Sequence, residues 1–272
     1  YSYLRNAIAG DYRGKTIKLL SNVTISDGNI SLGGKYHGDA TTLDLNGHTL
    51  SFANGTQLDI TGGGTAVVIK NGSIHRTDDP STADNTAFAI SQTNRTTLTI
   101  ENVTIEGKYG IYCYGGTLQI TKATIASTGW SIAVTDYVNG TNKYNGSVTI
   151  GTNDMNDDVI ITSANGNCIS TQVNTAPNVT IYGGTFTSNG TAWDAGSIYW
   201  ASEGTLDIHG GIFNASTTEN SDAAAVHQKN GTVKISDGTF TGKHALVVQT
   251  SEGSSGAMIT KLSGGTYSTS PE

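Results

Sequence analysis

At 272 residues, with 14% of them charged, 35 glycines and 3 prolines, the chain can form one large domain and is composed for short strands and turns rather than helices. Its 15 Lys+Arg against 22 Asp+Glu give a net charge of -7 with no basic run, which argues against nucleic acid and anionic membranes as partners. No apolar stretch is long enough for membrane insertion, and two cysteines, Cys113 and Cys168, make neither a disulfide framework nor a metal-binding pair.

Taken in chain order, Tyr1 opens without an initiator Met, so the sequence reads as a piece of a longer protein. The segment from Tyr3 to Tyr12 then places Leu4, Ala7 and Ile8 at helical spacing, and residues 1–14 are expected to form a short helical cap. Solenoids need such caps, because an open terminal coil exposes apolar core and unpaired strand edges. Coils are expected from 15 to 267, starting at the run KTIKLL from Lys15.

Along them one phrase recurs: LDLNGHTL from Leu43, VVIKNGSI from Val67, LTIENVTI from Leu98, LQITKATI from Leu118, VTIYGGTF from Val179, LDIHGGIF from Leu206 and VKISDGTF from Val233. Looser copies start at Val148 and Ile259. The markers Ile69, Ile100, Ile120, Ile150, Ile181, Ile208, Ile235 and Leu262 lie 31, 20, 30, 31, 27, 27 and 27 positions apart, one coil per interval.

A second phrase falls within each interval, at Ala87, Gly110, Ser131, Asn167, Ser197, Ala224 and Ala245, so each coil offers three short strands with apolar residues at period two. Turn residues sit at one place in the phrase: Asn-Gly at Asn46 and Asn71, Gly-Gly at Gly183 and Gly210, Asp-Gly at Asp237. Stacked coils make parallel sheets, and parallel crossovers are right-handed. The expected fold is all-β, a single-stranded right-handed parallel β-helix of about nine coils, roughly 45 Å long at a strand spacing of ~4.8 Å. Cys113 and Cys168 then stand two coils apart, beyond the ~7 Å reach of a disulfide, and are expected as free thiols. Residues 268–272 read as the start of a linker to a further C-terminal region.

The phrases NVTISDG at Asn22, LDLNGHTLSF at Leu43, GGTFTS at Gly183, DGTFTG at Asp237 and GGTYSTSP at Gly264 resemble repeat regions of Gram-positive bacterial cell-surface proteins, and pectate-lyase-like β-helices more widely. The resemblance implies an extracellular or surface location and an adhesin or stalk role, and it carries no particular activity.

Catalytic residues in such a fold would converge from neighbouring coils. Asp44 and Asp207 are read in the same outward slot of the first strand, many coils apart, well beyond the ~5–9.5 Å that paired glycosidase carboxylates require. Glu101 and Glu106 read as surface charges. The acidic clusters Asp78, Asp79 and Asp84, then Asp154, Asp157 and Asp158, are loop residues that offer oxygens to Ca²⁺ without the regular spacing of a calcium loop. No cofactor is expected; Ca²⁺ at Asp154, Asp157 and Asp158 is the one alternative. Arg5, Arg13, Arg76 and Arg95 and the six histidines form no legible Ser-His-Asp or Cys-His set.

Aromatic residues are the remaining signal. Tyr109, Tyr112, Tyr114 and Trp130 cluster, as do Trp193, Tyr199 and Trp200. With Ile111 and Ile198 inward, Tyr112 and Tyr199 point outward on one sheet, beside Ala89, Ala133, Ile169, Val226 and Val247. Rings beside Asn, Thr and Asp side chains suit sugars, so Tyr112, Tyr114, Trp130, Trp193, Tyr199 and Trp200 are the candidate ligand contacts. Alternatively the rings cover the sheet beneath. The insertions from Thr135 to Gly146 and from Asn189 to Gly196 are placed to supply a cover or a cleft edge. The expectation is a non-catalytic surface segment binding a host or microbial glycan or a surface protein; a passive stalk and a carbohydrate-active enzyme are the alternatives.

Overall fold

The computed structural model describes residues 14–33, 40–53, 55–77, 88–154, 158–249 and 258–271, together with Leu4 and Ile8. Among them the chain forms 28 strands, 26 of them in a parallel β-helix and two in a separate antiparallel hairpin. Nine complete coils run from Thr16–Lys18, Val23–Ile25 and Ile30–Leu32 to Thr232–Ile235, Thr239–Thr241 and His244–Val248, and a tenth begins with Ile259–Leu262 and Thr266–Tyr267. First and second strands of the coils join in a 17-stranded sheet, and third strands stack in a 9-stranded sheet. The expected cap lies almost wholly outside the described residues. Of its residues, Leu4 and Ile8 are helical, Leu4 is buried, and Ile8 packs against the core; no helical element is described over the first coil.

The register follows the aliphatic markers. Ile17 pairs with Leu43, Leu43 with Ile69, and then Ile100, Ile120, Ile150, Ile181, Ile208, Ile235 and Leu262 follow in one ladder. Alternation turns these residues up to Ile235 inward, where with the second- and third-face aliphatics they form one contiguous cluster, while Leu262 on the last coil is exposed. Each fully buried Ile or Leu contributes ~1.5–3 kcal/mol, so the column carries the fold.

Two alignments differ from the sequence reading. Leu43 matches Ile69 rather than Val67, because the bend around Leu45, Asn46, Gly47 and His48 is two residues longer than its counterpart in the next coil. The extra apolar residue, Leu45, is fully buried. Asp44 therefore pairs with Lys18 and Lys70, and Thr42 stands in the outward slot that it was expected to share with Asp207.

The bends explain the turn residues. Asn46, Asn71 and Asn102 adopt φ of 53°, 59° and 56°, the left-handed region that asparagine tolerates. Their side chains tie neighbouring coils: Asn102 Nδ2 donates to Asn71 Oδ1 and Asn71 Nδ2 to Asp44 Oδ1, each at 3.3 Å. In the later GGTF-type phrases the second glycine makes the bend, with φ of 112° at Gly184 and 117° at Gly211. A Cβ on Gly211 would lie 3.1 Å from the Gly184 carbonyl and 3.2 Å from the Phe213 ring, so the glycine lets the ring fold under its own turn.

Cys113 and Cys168 are free and buried, on coils two apart. Burial pushes the Cys113 thiol up to about 12 and Cys168 higher still, which keeps both protonated and unreactive.

Candidate functional site

The outward ladder of the third face reads Ser31, Asp59, Ser91, Tyr112, Ala133, Ser170, Tyr199, His227 and Val247. Tyr112, Ala133, Tyr199 and Val247 stand there as expected. Ile169 and Val226 do not: both pair with inward Ile198 and are fully buried. A one-residue slip reverses a strand's faces, and here it puts Ser170 and His227 outward. Ala89 lies two positions before Ser91 and is fully covered. The face is thus more polar than the sequence reading made it.

Rings gather over this ladder as a continuous series. Trp130 meets Tyr109 at 5.5 Å between centroids, Tyr109 meets Phe88 at 5.2 Å, and Phe88 stacks on Tyr112 at 5.1 Å. Tyr112 stacks on Tyr114 at 5.6 Å, which meets Tyr137 edge-on at 5.0 Å. Such pairs add ~0.5–1.5 kcal/mol each beyond the area they bury, so part of the array is packing. Trp130 is nevertheless 41% exposed.

The insertion from Thr135 to Gly146 supplies Tyr137 and Tyr144 as an antiparallel hairpin, Tyr137–Asn139 against Asn142–Tyr144. Buried Asp136 anchors it, accepting from the Gly146 and Ala176 amides at 3.3 and 2.7 Å and pairing with Lys143 at 3.1 Å. Arg95 lies 4.8 Å over the Tyr144 ring.

Between the two aromatic groups lies a groove of about 340 Å³. Tyr112 and Trp130 bound one end and Tyr199 the other. Ala133 and Ser170 form the floor, and Gln172 and Val173 stand at its rim. Ser170, Thr171 and Gln172 escaped sequence reading because they look like ordinary turn residues; only the period-two pattern after Ile169 could have placed Ser170 outward.

The second aromatic group is built on the segment from Asn189 to Gly196. Trp193, 50% exposed, meets Tyr199 at 5.8 Å and His227 at 6.0 Å, both edge-on, with Lys229 Nζ 5.0 Å from its ring centroid. The segment is held by Asn167 Nδ2 on the Asp194 carbonyl at 2.7 Å and by His227 Nδ1 against the Trp193 carbonyl at 2.8 Å. Trp200 does not join these rings: alternation after outward Tyr199 turns it inward, and it is fully buried in the core.

His227 makes this end sensitive to acid. Burial, the largest cause, and the charge of Lys229 lower its pKa from the ordinary 6.5, outweighing its hydrogen bond to the Trp193 carbonyl. The unfolded chain takes up this proton before the folded one, so stability falls as pH drops below 6.5, until the folded imidazole also protonates. Thermal melts on either side of that pH should therefore show a smaller acid loss for His227→Gln than for the parent. Equal losses in both proteins would remove His227 as the cause.

The remaining candidates are dispersed. Asp158 pairs with Lys122 at 2.9 Å, Asp154 is exposed, and Asp157 lies outside the described residues, as do Asp78, Asp79 and Asp84. Among the described residues no three His, Cys, Asp or Glu side chains group to hold a metal ion. One Asp-His-Ser series exists that spacing did not reveal: Asp207 Oδ1 lies 3.5 Å from His209 Nε2, and His209 Nδ1 lies 3.4 Å from Ser236 Oγ. Lys234 also approaches Asp207, at 3.7 Å, and Ser236 donates to the Ile208 carbonyl at 3.2 Å. These contacts are long for a poised nucleophile and base, and the series sits on an open sheet face.

Fold and site together define a parallel β-helix with an aromatic-bounded groove across the strands of its third face. Compared with known protein families, with curated proteins and with solved structures, the chain gives no match.

Proposed function

We propose that the protein is a non-catalytic, extracellular segment of a bacterial surface protein that binds glycan in the groove of its third face. The supporting observation is the groove itself: the rings of Tyr112, Trp130 and Tyr199 line it together with the polar side chains of Ser170, Thr171 and Gln172, the combination a sugar ring requires. The surface location rests on the likeness of the NVTISDG, LDLNGHTLSF and GGTF-type phrases to repeats of pectate-lyase-like and Gram-positive surface proteins.

A glycan-array screen tests this reading. Saturable binding is expected, with Tyr112→Ala or Trp130→Ala costing about 2 kcal/mol, roughly thirtyfold in affinity. Trp193→Ala should cost less, because that ring borders Tyr199 without lining the groove. A folded protein that retains no glycan would leave the stalk reading, which the uninterrupted aliphatic column favours. Release of reducing ends or unsaturated products from a polysaccharide would instead favour the enzyme.

A further inference from the structure

We infer that the groove takes an uncharged oligosaccharide lying along the solenoid axis, an assignment of ligand class and direction that rests on the glycan-binding reading above. Charge comes first. Among the described residues that line the groove, the polar groups are two phenols, one indole, the Gln172 amide and the hydroxyls of Thr135, Ser170 and Thr171, and no lining side chain is ionic. Nearby ions have partners elsewhere: Asp136 is held by Lys143 and two backbone amides, and Lys229 by Gln249 at 3.3 Å and the Trp193 ring. A uronate or sulfate would leave water with no cation to receive it, a cost that a neutral ring avoids.

Donor capacity suits hydroxyls. Thr171 Oγ1 already accepts from the Ala201 amide at 2.9 Å, and Thr135 donates to Gln172 Oε1 at 3.4 Å. Ser170 Oγ, the Gln172 amide nitrogen and the two phenols make no hydrogen bond among the described residues, so they are open to a ligand. Burial raises the pKa of Tyr112 and Tyr199 above the ordinary 10, and both remain O–H donors at neutral pH.

Direction follows from the register. Tyr112, Ala133, Ser170 and Tyr199 are successive rungs of one ladder. The two phenols stand ~14 Å apart at the parallel-strand spacing, with two small side chains sunk between them. The trough therefore crosses the strands, and a linear glycan laid in it would meet a new coil with each step of its length. A chain laid along a strand would run off the face within one short third-face strand, such as Ile132–Thr135.

Isothermal titration with neutral gluco-, manno- and galacto-oligosaccharides of increasing length, and with the matching oligo-uronates, separates the outcomes. Affinity for one neutral series should rise with length and level off once the trough is filled. The uronates should bind at least about tenfold more weakly. Tyr199→Ala should bring the levelling-off to a shorter oligomer, because it removes one end. Ser170→Arg, which puts a cation on the floor, should raise uronate affinity relative to neutral. Uronates binding as tightly as neutral sugars, or a monosaccharide matching the longest oligomer, would overturn the inference while leaving glycan binding intact. Failure of every sugar to bind the folded protein would overturn the glycan reading and this inference with it.

Discussion

Trp200→Ala should destabilise the protein by about 3–5 kcal/mol in denaturant unfolding, the loss expected when a wholly buried indole leaves a cavity. The ring occupies the inward side of Gly196–Trp200, paired in register with Gln228 on the next coil and, through it, with Val248. It is fully buried, and its Nε1 is an unsatisfied donor among the described residues. That orphaned N–H already costs the native state something, so Trp200→Phe should be milder than alanine: it opens a smaller void and removes the unpaired donor. Trp193→Ala, on a half-exposed ring, should stay within about 1 kcal/mol of the parent. The contrast separates core from surface: a Trp200→Ala protein of unchanged stability would mean that the ring is not in the interior column.

The two tryptophans also show what the sequence could and could not tell. Coil length and register were legible because Ile69, Ile100, Ile120 and their successors recur in a fixed phrase, and each pairs with the next. Facing was legible where a single apolar residue alternates with polar ones, as in TLTI or TLQI. It was ambiguous where neighbours are all apolar: Cys168 and Ile169, Ala225 and Val226, Tyr199 and Trp200 each fit either side of a strand. The structure resolves those pairs through register with Ile132 and Ile198, which no local pattern contains.

The rings of the candidate site and Ala133 of its floor were visible in the sequence, whereas Ser170 was not, since only the stacking register sets it, in place of Ile169, between Ala133 and Tyr199. The hairpin between Tyr137 and Tyr144 had a local signal, the Asn-Gly turn at Asn139 between two short strand-like runs, but read only as an insertion. The Asp207, His209 and Ser236 contacts were hidden for the same reason as Ser170: Ser236 lies on the following coil.

The second large effect should come from Phe213→Ala. Phe186, Phe213, Phe240 and Tyr267 stack at 4.7, 4.9 and 5.0 Å between centroids, with interplanar angles of 6°, 4° and 12°. Phe213 has a ring on both sides and is fully buried. Its removal should cost about 3–5 kcal/mol as a cavity, with the two lost ring contacts placing it toward the upper end. Phe213→Leu, which refills much of the space, should cost less.

Where that loss appears is as informative as its size. In a solenoid each coil is stabilised by its neighbours, so a defect loosens the coils beside it before distant ones feel it. Hydrogen exchange should accordingly quicken in Thr185–Ser188, Thr205–Ile208, Ile212–Asn214 and Thr239–Thr241. Amides of Thr97–Gly107 and Thr117–Ser127, coils away, should keep their protection. Uniform loss along the molecule would mean that the coils unfold as one cooperative block, and that the aliphatic column couples them more strongly than contact between adjacent coils can account for.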